Sequence, residues 1–185
     1  MRCPHDLCKK ILAIDFFATH FNNEHPAVPK QPRYEIGARC DLLFDPVIVN
    51  NNACTCIGLI NLPDEAVLMV MVSRMPCPHD LYDFTYECSC NGSVIQCTCM
   101  PSELIILWAW SNIPLNLNYT IAVSNPLTDN RLRYCGPLLT LHQHFEKICI
   151  QGNGLIMNHN QLTGFSGNFT RDIQVHVVFR VRDEV

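Results

Sequence analysis

The chain has 185 residues, 48% of them apolar and only 16% charged, which is enough apolar material for one compact core. A net charge of −4, with 13 Lys and Arg scattered along the chain, argues against a protein that neutralises phosphates along a nucleic acid. No apolar run approaches the roughly 20 residues of a membrane span. Asp6, Lys9 and Lys10 stand where a signal peptide's apolar core would begin, and Asp15 breaks the next run, so an intracellular protein is expected.

Leu7, Ile11, Ile14, Phe17 and Phe21, spaced by three or four, predict one apolar helical face over residues 5–21, with Asp6 as its candidate cap. Pro26, Pro29 and Pro32 then predict a linker over Asn22 to Pro32. Residues 1–32 are thus read as an N-terminal helix and linker, and 33–185 as a Cys-rich, mainly β domain, together one compact unit.

From about residue 40 the pattern changes to short runs punctuated by Pro, Asn and Gly. Candidate strands are Val47–Val49, Ala66–Val72, Phe84–Cys90, Val94–Cys99, Leu104–Trp110, Tyr119–Val123, Leu132–Cys135, Ile148–Ile150, Leu155–Met157 and Ile173–Val181. In the last, Ile173, Val175, Val177, Phe179 and Val181 alternate as one buried face. Pro101-Ser102-Glu103 also reads as a helix start before Leu104. The expected class is mainly β (α+β): a helix plus many short strands, arranged as a sandwich, a barrel or a small β-solenoid, with zinc as a candidate staple.

The 12 cysteines stand out. Cys54-Thr-Cys56, Cys88-Ser-Cys90 and Cys97-Thr-Cys99 each place two sulfurs on one strand face, and Asn91-Gly92 between the last two pairs is a hairpin signal. Cys3-Pro-His-Asp-Leu7 recurs as Cys77-Pro-His79-Asp-Leu81, giving a Cys-x-His pair twice. Structural zinc takes four Cys or His ligands, so the candidate set is Cys54, Cys56, Cys77, His79, Cys88, Cys90, Cys97 and Cys99. Two alternatives stay open. Free cysteines behave as small buried hydrophobes, or the even count and the sequons at Asn91, Asn118 and Asn168 mark a secreted, disulfide-stapled binding protein. His142-Gln-His144 is a further same-face pair.

No Gly-rich phosphate loop, nucleophile elbow or His-Glu-x-x-His helix occurs, and a binding protein is expected instead of an enzyme. Trp108 and Trp110 are candidate interface anchors, weighed against a place in the core, because residues two apart share a strand face.

Cys88-Ser-Cys90-Asn-Gly-Ser-Val-Ile-Gln-Cys97, followed by the apolar run with Trp108 and Trp110, resembles the Cys/His-rich centre of the adenovirus early-region-four 34-kDa protein family. Cys54-Thr-Cys56 resembles that family's preceding cysteine cluster, and Arg133-Tyr-Cys135-Gly136 with Leu138-Leu139 its later Cys-Gly-apolar element; residues 40–145 carry the likeness. The chain lacks the family's arginine-rich C-terminal region and resembles a shortened member. The resemblance implies a viral early adaptor, bound to zinc, that joins host elongins B and C and a cullin ubiquitin ligase to target proteins, together with a second viral early protein, in the host nucleus and cytoplasm. Its short elongin-binding motif is approached by Thr140, Leu141, Phe145 and Cys149, although Phe145 stands where that motif has Cys. No direct nucleic-acid or membrane contact is expected.

Overall fold

The computed structural model describes residues 3–5, 8, 10–49, 53–63, 66–76, 103–125, 127, 130–140 and 145–182. A 3-10 turn, Ile14–Phe16, leads into helix α1, Phe17–Glu24; two further helices are α2, Phe145–Ile150, and α3, His159–Ser166. The strands are β1 (Lys30–Gln31), β2 (Arg39–Phe44), β3 (Ala53–Asn61), β4 (Val67–Pro76), β5 (Glu103–Ser111), β6 (Leu117–Ser124), β7 (Arg131–Pro137), β8 (Leu139–Thr140), β9 (Leu155–Asn158) and β10 (Ile173–Val181).

They form two mixed or antiparallel sheets sharing one core. The first runs β1-β3-β4-β5-β8, with β9 also paired to β5; the second runs β2-β10-β6-β7. Strands β4 and β5 hold residues at 0–4% exposure on both faces, among them Leu68, Met69, Val70, Met71, Ile106, Leu107 and Trp110. A strand buried on both sides reads as a continuous apolar run, which is why Val67–Val72 and Leu104–Trp110 show no alternation. The second sheet has one wet face, so β6 alternates strictly between buried and half-buried residues.

Leu42 of β2 reaches the first sheet at Gly58, where a Cβ would lie 2.7 Å from Leu42 Cδ1. The bulge between Cys56 and Gly58 in the β3–β4 register sits at this close approach. Tyr34 ties the chain before β2 to β10: its hydroxyl donates to Ala38 O and accepts the Phe179 N–H at 3.0 Å.

Several expected elements differ. The segment Val47–Val49 is a turn closed by Ile48 N–H to Asp45 O, and the strand lies earlier, at Arg39–Phe44. The segment Ile148–Ile150 is helical, because Gly152 at φ +65° ends α2 with paired bonds from Gly152 N to Cys149 O and Asn153 N to Ile148 O. The candidate strand Leu104–Trp110 is a strand, and the alternative helix start before Leu104 is not taken. The N-terminal helix starts at Phe17, twelve residues later than expected, after the 3-10 turn at Ile14, and Ile11 and Ile14 are exposed. Strands β1 and β3 and helix α3 also escape the periodicity argument. Helix α3 carries a reciprocal Asn158–Gln161 capping box. The expected strands Phe84–Cys90 and Val94–Cys99 lie outside the described residues.

Candidate metal centre

The N-terminal segment does not open as a helix because its backbone folds back on itself. Cys3 N–H donates to Lys10 O at 2.9 Å and Cys8 N–H to His5 O at 3.2 Å, making a tight knuckle that aims both thiols the same way. Helix α1 follows, with Phe17, His20 and Phe21 on its buried face. Phe17 packs edge-on against Trp110 of β5 with ring centroids 5.6 Å apart, which sets the helix on the first sheet. The helix ends at His25, whose N–H bonds Phe21 O, immediately before Pro26.

Knuckle and helix bring together Cys3, Cys8, His20 and His25, whose ligand atoms all lie within 4.8 Å of one another. Cys3 Sγ is 3.5 Å from His25 Nε2, Cys8 Sγ is 3.5 Å from His20 Nε2, and the two Nε2 atoms are 3.2 Å apart. A tetrahedral zinc with bonds of about 2.3 Å to sulfur and about 2.0–2.1 Å to nitrogen has edges of about 3.6 Å and 3.3 Å. The donors therefore stand close to the corners of that tetrahedron, and the group can hold a metal ion such as zinc.

The surroundings fit the same chemistry. With Nε2 facing the cluster, the other nitrogen of His20 must carry the proton; that Nδ1 is buried without a hydrogen bond, and Glu24 Oε1, 3.5 Å away, faces it. Lys10 Nζ holds the same carboxylate oxygen at 2.6 Å, linking the knuckle to the helix, and this bond depresses the Glu24 carboxyl. Burial, then the neighbouring His5 and His20, lowers the basicity of His25 and so favours the neutral imidazole a metal needs. Burial pushes the Cys3 thiol up to about 12, the state before a metal displaces its proton. His5 buttresses the cluster: its ring lies 4.5 Å from that of His25, and its Nδ1 accepts the Cys56 N–H at 3.1 Å. That N–H is available because β1 pairs only with Leu59 and Ile60 of β3.

This set differs from the one expected from Cys-x-Cys spacing. Cys56 is buried, donates from Sγ to Gly58 O at 3.4 Å, and has its thiol pushed up to about 12 by burial, while Cys54 is half-buried beside it; neither joins the four-ligand group. Cys77, His79, Cys88, Cys90, Cys97, Cys99, Leu141, His142 and His144 lie outside the described residues. Trp108 and Trp110 are 3% and 4% exposed, so they are core residues and offer no indole to a partner. Thr140 is exposed at the end of β8, Phe145 opens α2, and Cys149 is buried within it.

The four ligands had a legible signal. Cys3-x4-Cys8-x11-His20-x4-His25 is within one residue of the spacing of two-Cys, two-His zinc modules. An apolar helical pattern drawn through the same residues hid it.

A second polar cluster crosses the wet face of the β2-β10-β6-β7 sheet. His176 Nδ1 is 2.6 Å from Asp41 Oδ1 and its Nε2 is 3.0 Å from Ser124 Oγ, while Arg39 Nε donates to Asp41 Oδ1 at 2.5 Å and an Arg39 terminal nitrogen lies 2.7 Å from His176 Nδ1. The order Ser-His-Asp is that of acyl-transfer triads. Here the carboxylate is half exposed and already neutralised by Arg39, so the cluster is a surface network that orients Arg39 and the imidazole. Among the described residues, no helix is long and apolar enough to cross a membrane. No protein-family model matches the chain, and no curated protein matches it.

Proposed function

We propose that this protein is a viral early regulatory adaptor: a β-sandwich binding domain whose N-terminal helix is clamped to the first sheet by zinc on Cys3, Cys8, His20 and His25. The observation that carries the reading is the match between the 3.5, 3.5 and 3.2 Å donor separations and the edges of a zinc tetrahedron. Four protein ligands leave no open position for substrate, which suits a structural ion and a binding role. Bound zinc would supply cross-linking of the knuckle to α1, and through Phe17 and Phe21 it would hold that helix on Trp110 and its neighbours. Action in the host nucleus and cytoplasm, which are reducing, would keep the Cys3 and Cys8 thiols available to the ion.

The partners rest on the family resemblance: host elongins B and C with a cullin ubiquitin ligase, and a second viral early protein. Two measurements on protein made in a reducing cytosol test the reading. Metal analysis is expected to find zinc that is lost, by one equivalent per chain, when Cys3 and Cys8 are changed to Ser; unchanged zinc content in that variant removes the clamp. Co-expression with elongin C is expected to yield a complex, and a folded, zinc-loaded protein that leaves elongin C behind removes the ligase role.

A further inference from the structure

The wet face of the second sheet carries a cluster of positive charge. Strand register places Asp41, His176, Ala122 and Arg133 in one row across β2, β10, β6 and β7, and Leu43, Gln174, Ser124 and Arg131 in the next. Arg39 and Arg180 project from the same face, since they stand two residues from Asp41 and four from His176 on their strands. Four guanidinium groups on these strands thus share the face with one carboxylate, Asp41, which Arg39 and His176 already occupy. Among the described residues, Arg131, Arg133 and Arg180 have no carboxylate within ion-pair distance, and all three are exposed. In a chain of net charge −4 that concentration calls for a negative partner.

We infer that this face docks an extended, acidic polypeptide segment, with its carboxylates against Arg131 and Arg133 on one flank and Arg39 and Arg180 on the other. Alternate side chains of a strand recur about every 6.6–6.8 Å along both this edge strand and an extended ligand, so an acidic residue at every second position matches Arg131 and Arg133. Between the flanks β6 offers only Asn118, Thr120, Ala122 and Ser124, short side chains over which a backbone can pass. At the Ser124 end lies a cavity of about 380 Å³ lined in part by Asn130, Arg131 and Asn160, and the side-chain amides of Asn130 and Asn160 suit peptide N–H and C=O groups. Among the described residues this face presents no Phe, Tyr or Trp ring, and His176 is only 9% exposed, which favours peptide over single-stranded nucleic acid. This inference rests on the adaptor reading and names the chemistry of one of its partners.

The test uses zinc-loaded, full-length protein and a fluorescein-labelled peptide of about twelve residues alternating Glu and Thr, followed by anisotropy at low and physiological salt. Binding is expected to weaken about 10-fold or more in Arg131→Glu/Arg133→Glu and to fall as salt rises, whereas Lys147→Glu on α2 leaves it unchanged. Ala122→Phe keeps every charge but fills the space between the flanks, and it is expected to weaken binding similarly; melting curves of each variant establish that the fold persists. Equal binding by Ala122→Phe, equal loss in Lys147→Glu, or tighter binding of oligothymidylate than of the peptide would each overturn the inference. A zinc-loaded protein that captures elongin C yet ignores the peptide would overturn this inference alone and leave the adaptor reading standing.

Discussion

His20 and His25 point their Nε2 atoms at each other across 3.2 Å, one from the first turn of α1 and the other from the residue that caps its end. Two imidazole nitrogens at this distance can share one proton or one metal ion, and the two thiols 3.5 Å beyond them select the metal. Cobalt(II) substitution is therefore expected to give the intense visible absorption of a tetrahedral two-Cys, two-His site, together with thiolate charge-transfer bands. His25→Ala is expected to remove them, while Cys56→Ser keeps them. Removing metal with a chelator is expected to lower the melting temperature of the wild type and to leave that of His25→Ala almost unchanged, since the variant has little metal to lose.

Gly58 and Leu42 make a close joint between the two sheets. A Cβ at position 58 would meet Leu42 Cδ1 at 2.7 Å and Cδ2 at 2.8 Å, far inside contact distance. Gly58→Ala is expected to destabilise the fold by about 1–3 kcal/mol, as overpacking of a filled core does. The far end of Leu42 can be shortened, so Gly58→Ala/Leu42→Val should cost less than the sum of the single changes. Urea titration of the four proteins in this double-mutant cycle measures the difference.

Asp41 supplies a pH dependence whose sign can be worked out. Burial tends to raise its carboxyl, but the bonds from Arg39 and His176 outweigh it and hold the folded-state value below the usual carboxylate range. A depressed folded value means that the group stabilises the fold above its unfolded value and loses that contribution as pH falls through the folded one. The wild type is therefore expected to lose stability on acidification below about pH 4 more steeply than Asp41→Asn does. Parallel melting curves of the two proteins from pH 3 to pH 7 check this, and identical slopes would exclude a role for the carboxylate. The effect is modest because the side chain is 53% exposed.

The β-rich fold was legible where burial is one-sided or complete. Alternation in Ile173–Val181 and the apolar runs at 66–72 and 104–110 marked three of the long strands. Strand β3 was concealed by its own content: Cys54, Thr55, Cys56 and Gly58 carry no strong apolar period, and the bulge at Cys56 shifts the facing of the residues after it. Helix α3 has Leu162 and Phe165 as its apolar side, too few for a period to register, and only its Asn158–Gln161 cap marks its start. For the metal centre, attention to Cys-x-Cys pairs led away from Cys3 and Cys8. Their wider spacing suits a knuckle that turns both sulfurs toward one point, and of the Cys-x-Cys pairs only Cys54 and Cys56 lie among the described residues.

All four candidate metal ligands lie between residues 3 and 25, whereas β2 finds its partner only in β10, with Phe44 opposite Ile173. The two halves of the fold are thus completed at opposite ends of synthesis. The donors of residues 3–25 are made well before β10, whereas the second sheet stays open between β2 and β6 until β10 arrives to fill it. A nascent chain would then pass through a long interval with the backbone edge of β6 that β10 later pairs left open, and the cell's zinc supply and its chaperones would act on different stages of that interval.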